Sequence, residues 1–273
     1  MTIFQAILLG VTQGLTEYLP VSSSAHLVIV PFLLNWTIPA DQVFVFDVLV
    51  QLGTLLAVIV YFWKDLITIV VEFFKGIAAR KPFATVESRM GWLLILASIP
   101  GGIAGVSVKS IVEEAFSNPR AVGILLFGTA ILLLISEYNG RKQRGFSSIN
   151  WLDALWIGLG QAISIFPGIS RSGATISVGL MRGLKRADAA KFSFLMSIPI
   201  MLIAGLYSAL DLPGVANLSS FLPVILIGTL VAAVVGYLSI KWLLSFLNRR
   251  SLTVFAVYCA ILGAVVLVVS FIR

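Results

Sequence analysis

The sequence predicts an all-α polytopic membrane protein: six transmembrane helices plus two re-entrant broken-helix hairpins, related by an inverted-topology internal repeat. Three observations predict it. Hydrophobic residues fill 59% of the 273 positions and charged residues only 11%, against about 25% charged in a soluble domain. Two apolar regions are broken near their middles by Pro/Ser stretches. Those two regions align with one another. With a mean hydropathy of +1.04, the bilayer sets the architecture.

Six runs are long enough to span, near 44–63, 90–108, 119–136, 190–210, 220–240 and 252–272, since about 20 apolar residues cross the hydrocarbon. Regions 3–35 and 151–181 behave differently. "LPVSSSAH" breaks the first and "FPGISRSGAT" the second. Each arm is too short to cross comfortably. A kinked span is one reading; a hairpin that enters and leaves on one side is the other. Unwound backbone at membrane depth is tolerated where it lines a buried cavity.

Charge favours re-entrance. If both regions re-enter, fifteen of the 19 basic residues fall on one side, in segments 64–89, 137–150, 182–191 and 241–250. Lys109, Arg120 and Arg273 fall on the other, and Arg171 lies inside the second break. The positive-inside rule then places those loops in the cytoplasm and both termini outside. It also accounts for the net charge of +7 through contact with anionic membrane lipids, with no nucleic acid partner. The opening "MTIFQAILLG" has no basic residue before its apolar run, so it does not read as a cleaved signal peptide. The single cysteine, Cys259, reads as packing.

The broken regions align without a gap at an offset of 148: "GVTQGLTEYLPVSSSAH" lies over "GLGQAISIFPGISRSGA". Gly10 meets Gly158, Gln13 meets Gln161, Ser22 meets Ser170 and Ser24 meets Ser172. "FDVLVQLG" also resembles "FSFLMSIP" with a small shift. The expectation is a single membrane domain over 1–273, with repeat halves 1–140 and 150–273. Each half holds one broken region and three spans. An odd number of spans inverts the second half, and the broken elements should meet near the midplane.

The breaks carry the chemistry. After Pro20 a serine among Ser22, Ser23 and Ser24 caps a restarting helix; Ser170 does the same after Pro167. Two helix N-termini facing each other make an anion site. Arg171, Ser172 and Thr175 add a guanidinium fork and hydroxyls suited to phosphate. A serine beside a proline is often only a cap, and a lone histidine such as His26 is as often structural as catalytic. Arg171 sits far from the segment ends, where snorkelling would not explain it. Gln13 and Glu17 share a helix face before the break. Glu17 makes sense as a base, or as the ligand of a divalent cation that bridges to phosphate. Asp47 and Gln51, also four apart, line the same cavity or brace the hairpin.

"E-x-L-P-V-S-S-S-A-H" and "P-G-I-S-R-S-G-A-T" resemble the two signature motifs of the bacterial undecaprenyl-diphosphatases of the bacitracin-resistance type. "FDVLVQLGTLLAV" and "KFSFLMSIPIM" resemble further family segments in the same order. The resemblance implies a plasma-membrane enzyme that hydrolyses undecaprenyl diphosphate to undecaprenyl phosphate and inorganic phosphate, recycling the lipid carrier for peptidoglycan. It implies a divalent cation, Mg²⁺ or Ca²⁺. By motif, Glu17, Ser23 and His26 match the catalytic stretch, and Ser170, Arg171, Ser172 and Thr175 the phosphate-binding stretch. The family's first motif often begins with glutamate where this chain has Gln13.

The nucleophile stays open among Ser23, His26 and water. A secondary transporter or flippase of a lipid phosphate is the competing function, because inverted repeats with broken helices serve transport too. A lipid phosphatase built on two histidines is excluded: this chain has one, and Ser177 stands seven after Ser170.

Overall fold

The computed structural model describes residues 1–108, 112, 115, 116, 118–209 and 218–272. Lys109 and Arg273, assigned above to the outer side, and Leu210, the end of one span, lie outside them. The described chain is all helix. It runs α1 (Ile3–Thr16), α2 (Ser23–Leu33), α3 (Ala40–Tyr61), α4 (Trp63–Ala78), α5 (Val86–Ser107) and α6 (Pro119–Asn139). A 3₁₀ turn, Phe146–Ser148, precedes α7 (Trp151–Ile163), α8 (Arg171–Met181), α9 (Arg186–Ala209), α10 (Leu218–Leu247) and α11 (Thr253–Ile272).

Helices α5, α6, α9, α10 and α11 are long and apolar enough to cross a membrane. Helix α3 meets that test together with α4, but the pair is bent by 78°. The predicted spans therefore hold, with one correction. Residues 64–89, expected from charge to be a loop, instead begin in the amphipathic helix α4 and end inside α5. Trp63, Ile67, Val70 and Phe74 are exposed on it, while Ile69 and Gly76 are buried. Of the five basic residues in this stretch, Lys64 and Lys75 lie on α4, Arg80 and Lys81 follow it, and Arg89 is on α5.

Local chemistry sets the helix starts. Thr2 and Gln5 form a reciprocal capping box at α1, and Asn150 with Asp153 forms the same device at α7. Ser22 caps α2 and Ser170 caps α8. These starts keep the offset of 148 at three of four ends of the paired helices: α1 and α7 begin 148 apart, as do both ends of α2 and α8.

Both broken regions are hairpins that return to their own entrances. In the first, the Phe4 and Trp36 rings meet edge-on at 6.2 Å. The Met1 amino group donates to Gln42 Oε1 at 2.6 Å. In the second, Asp153 at the start of α7 holds Arg182, just past α8, at 2.8 Å and Arg144 at 2.6 Å. Neither connection is available to a kinked helix crossing the bilayer once.

Packing repeats across the halves. Helix α1 packs on α10 as α7 packs on α5; α3 and α9 flank α10 and α5 and pack on each other; α6 pairs with α11. The matched glycines set the hairpin approach. A Cβ on Gly10 would lie 2.5 Å from the Gly228 carbonyl oxygen, and one on Gly158 would lie 2.5 Å from that of Ala97. Small residues admit this backbone contact where apolar surface alone gives helices no preference for each other over lipid.

Candidate active site

The hairpin tips meet. The Gly168 N–H donates to Ser22 Oγ at 3.2 Å, and Ser172 Oγ donates to the Leu19 carbonyl at 3.0 Å. Each tip is thus satisfied by the other, as buried backbone requires. Ser22 and Ser170 also cap their own helices, accepting from the Ala25 and Gly173 N–H groups. Their hydroxyls lie 3.2 Å from those of Ser24 and Ser172. Buried Ser22 and Ser172 make the tip contact and buried Ser170 caps α8 behind it, while Ser23, Ser24 and Arg171 remain half-buried beside it.

Glu17 is the hub. It is 6% exposed. Its Oε2 accepts from Ser23 Oγ at 2.6 Å and from Gln13 Nε2 at 2.7 Å. Its Oε1 accepts from Arg171 Nη2 at 2.7 Å. The carboxylate thus takes three donors, one of them charged. Arg171 Nη1 is buried and has no partner among the described residues, and neither does Gln13 Oε1. One free guanidinium donor and one free amide oxygen therefore flank the carboxylate. Ser23 and Arg171 are the first residues of α2 and α8, where helix N–H groups are unpaired.

His26 sits one turn along α2. Its Nδ1 is 2.7 Å from the Ser22 carbonyl oxygen and its Nε2 is 2.7 Å from the Tyr258 hydroxyl. Three predicted residues are not part of this cluster. Thr175 donates to the Arg171 carbonyl at 2.8 Å and lies 2.6 Å from the Ser193 hydroxyl. It braces α8 against α9 and does not line the tip. Asp47 is buried on α3, and neither it nor the Gln51 side chain bonds to any member of the cluster. The Gln51 carbonyl accepts the Thr54 hydroxyl instead.

A family model described as "Bacitracin resistance protein BacA" matches residues 6–265. The chain belongs to this family. A relative named undecaprenyl-diphosphatase from Desulforudis audaxviator is 42% identical over 274 residues, covering 100% of both chains. One of the same name from Myxococcus xanthus is 42% identical over 98% of this chain and 89% of the relative. A third, from Chlorobium phaeovibrioides, is 43% identical over 98% of this chain and 96% of the relative. The resemblance first carried by two motifs thus extends over the whole chain.

Three contributors to the site were missed in the sequence. Thr129 on α6 accepts from the Ser170 N–H at 2.8 Å and donates to the Gly168 carbonyl at 2.7 Å, pinning the second tip. Tyr18, fully buried, donates to the Thr54 carbonyl and stands edge-on to Phe194 at 5.0 Å, fixing the chain beside Glu17. Tyr258 on α11 reaches His26. Thr129 and Tyr258 belong to spans whose hydropathy gives no sign of the tips, so only the tertiary fold reveals them. Tyr18 had a local signal, lying next to Glu17 in the motif.

Proposed function

We propose that this chain hydrolyses undecaprenyl diphosphate to undecaprenyl phosphate and inorganic phosphate within the plasma membrane. The observation that carries the reading is the meeting of Ser23 and Arg171 on one buried carboxylate, Glu17, at the junction of two helix N-termini. That arrangement pairs a nucleophile and its base with a cationic phosphate clamp.

The terminal phosphate enters between the helix starts and takes the free Nη1 of Arg171, the Ser23 and Ser24 hydroxyls and the unpaired N–H groups. Ser23 Oγ attacks the terminal phosphorus as its proton passes to Glu17. The bond to the bridging oxygen breaks, and undecaprenyl phosphate leaves with the electron pair. Glu17, protonated in that step, returns the proton to the leaving oxygen. Glu17 then takes a proton from water as the water attacks the phosphoserine, and phosphate departs while Ser23 is reprotonated. Arg171 and the helix N-termini meet the charge on the equatorial oxygens throughout.

A divalent cation fits the residues present. Gln13 Oε1, buried and unpartnered, and Glu17 would hold it as hard oxygen donors. Among the described residues no three His, Cys, Asp or Glu side chains gather into a metal cage. Two protein oxygens suit Mg²⁺, which completes its shell with water and phosphate, better than Ca²⁺, which takes 6–8 oxygens. When bound, the ion would neutralise charge on the diphosphate.

The sorting of basic residues supports a site and termini that face the outside, with halves 1–140 and 150–273 as inverted repeats. The test is phosphate release from undecaprenyl diphosphate by purified protein, with and without chelator. Release that falls on chelation is the expected result. No release from a folded preparation under either condition overturns the reading.

A further inference from the structure

His26 is the chain's single histidine, and both of its ring nitrogens are engaged. Nδ1 lies 2.7 Å from the Ser22 carbonyl oxygen. A carbonyl only accepts, so Nδ1 carries the proton. In the neutral ring Nε2 is then bare and accepts. Its partner is the Tyr258 hydroxyl at 2.7 Å, on a ring stacked with the imidazole at 5.7 Å and 2°.

The carbonyl held this way belongs to a strained residue. Ser22 has φ +69° and ψ +93°, left-handed backbone that an L side chain adopts only when its surroundings impose it. The next residue is Ser23, whose hydroxyl meets Glu17. The second hairpin is an internal control. Its matched cap, Ser170, has φ −63°, and Ala174 stands where His26 would be. The strain and the histidine are present together in one tip and absent together from the other.

From this geometry we infer that Tyr258 is a positioning residue for Ser23, acting through His26 and the Ser22 carbonyl. The inference rests on the phosphatase reading above. Tyr258, on the last helix, fixes the tautomer of His26. His26 in turn holds the left-handed turn that aims Ser23 at Glu17. With both nitrogens taken, His26 is not free to attack phosphorus, which leaves Ser23 or water as the nucleophile.

Having one histidine makes this readable. Ring-¹⁵N histidine labelling of the full-length protein gives one Nδ1 and one Nε2 signal. The expected pattern is a protonated Nδ1 and a bare, hydrogen-bonded Nε2. Tyr258→Phe keeps the stacked ring and removes the hydroxyl. It should move the Nε2 signal towards that of a free nitrogen. It should lower kcat about tenfold, the worth of one hydrogen bond, with KM unchanged and the melting transition kept. An Nε2–H tautomer in the unsubstituted protein, or a kcat within twofold in the variant, overturns the inference. If the unsubstituted protein releases no phosphate while the tautomer pattern stands, the phosphatase reading fails and the catalytic meaning with it; the hydrogen-bonded line itself would survive.

Discussion

The two hairpins share a backbone plan and differ in what they place on it. Helices α2 and α8 each hold 11 residues, each capped by a serine and each docked on the opposite tip. At the first position of α2 stands Ser23; at the first position of α8 stands Arg171. In the proposed mechanism the same structural slot supplies a nucleophile in one half and a phosphate clamp in the other. Ahead of the breaks, Glu17 corresponds to Ile165. A duplicated scaffold gives two equivalent anion-facing slots, and divergence turns them into unlike partners on a single carboxylate. A symmetric site could bind phosphate but would lack the pairing of a base with a nucleophile that hydrolysis needs.

The strongest way to break this comparison is to empty either slot. Ser23→Ala and Arg171→Ala should each lower phosphate release by about a thousandfold or more, with folding preserved. Both side chains are half-buried and neither fills the core. Near-normal turnover in either variant removes that residue from the mechanism. A phospho-enzyme trapped by rapid quench should be lost in Ser23→Ala. Its absence from the unsubstituted protein would favour direct attack by water.

Glu17→Gln sharpens the asymmetry one level down. It keeps the shape but removes the base and the counter-charge, so turnover should fall by about 10²–10⁴. It also leaves the Arg171 guanidinium without its ion pair at a largely buried position. A lower melting temperature should therefore accompany the lost activity, because a buried charge stripped of its partner is costly. Unchanged stability would mean that solvent reaches Arg171 freely.

The scaffold's own symmetry predicts equal effects. Gly10→Ala and Gly158→Ala each push a Cβ to within 2.5 Å of a facing carbonyl oxygen. Each should cost about 1–3 kcal/mol, the usual price of overpacking, measured by unfolding in detergent. A large difference between them would show that α1 on α10 and α7 on α5 are not equivalent joints.

What the sequence revealed follows what is local. Spans, breaks, caps and the offset of 148 are written in short stretches, and the helix starts follow them. The meeting of the tips was also legible, because the repeat and the charge sorting implied it. Helix α4 had a readable amphipathic pattern that the count of basic residues concealed. Thr129 and Tyr258 had none, since each joins the site from a span distant in sequence. Thr175 shows the opposite case: a motif residue whose hydroxyl is turned away from the tip cluster. Its place in the motif put it near phosphate, but a threonine one turn into a helix can satisfy its hydroxyl on the preceding turn's carbonyl, and here it does.

The smallest predicted effect concerns the matched glutamines. Gln13 donates to Glu17. Gln161, at the equivalent point of the second hairpin, is 4% exposed, and both amide atoms lack a partner among the described residues. The cause is the substitution two positions before the second proline: Ile165 offers no acceptor where the first half has Glu17. Gln13→Leu should lower turnover at least about tenfold, by loosening the carboxylate and by removing one of the two oxygen donors proposed for the cation. Gln161→Leu should leave turnover within about twofold and raise stability by about 1 kcal/mol, since it removes an unpaired buried amide. If Gln161→Leu instead lowers turnover as far as Gln13→Leu does, the second glutamine contacts the substrate, and the division of labour between the hairpins is less complete than Ile165 implies.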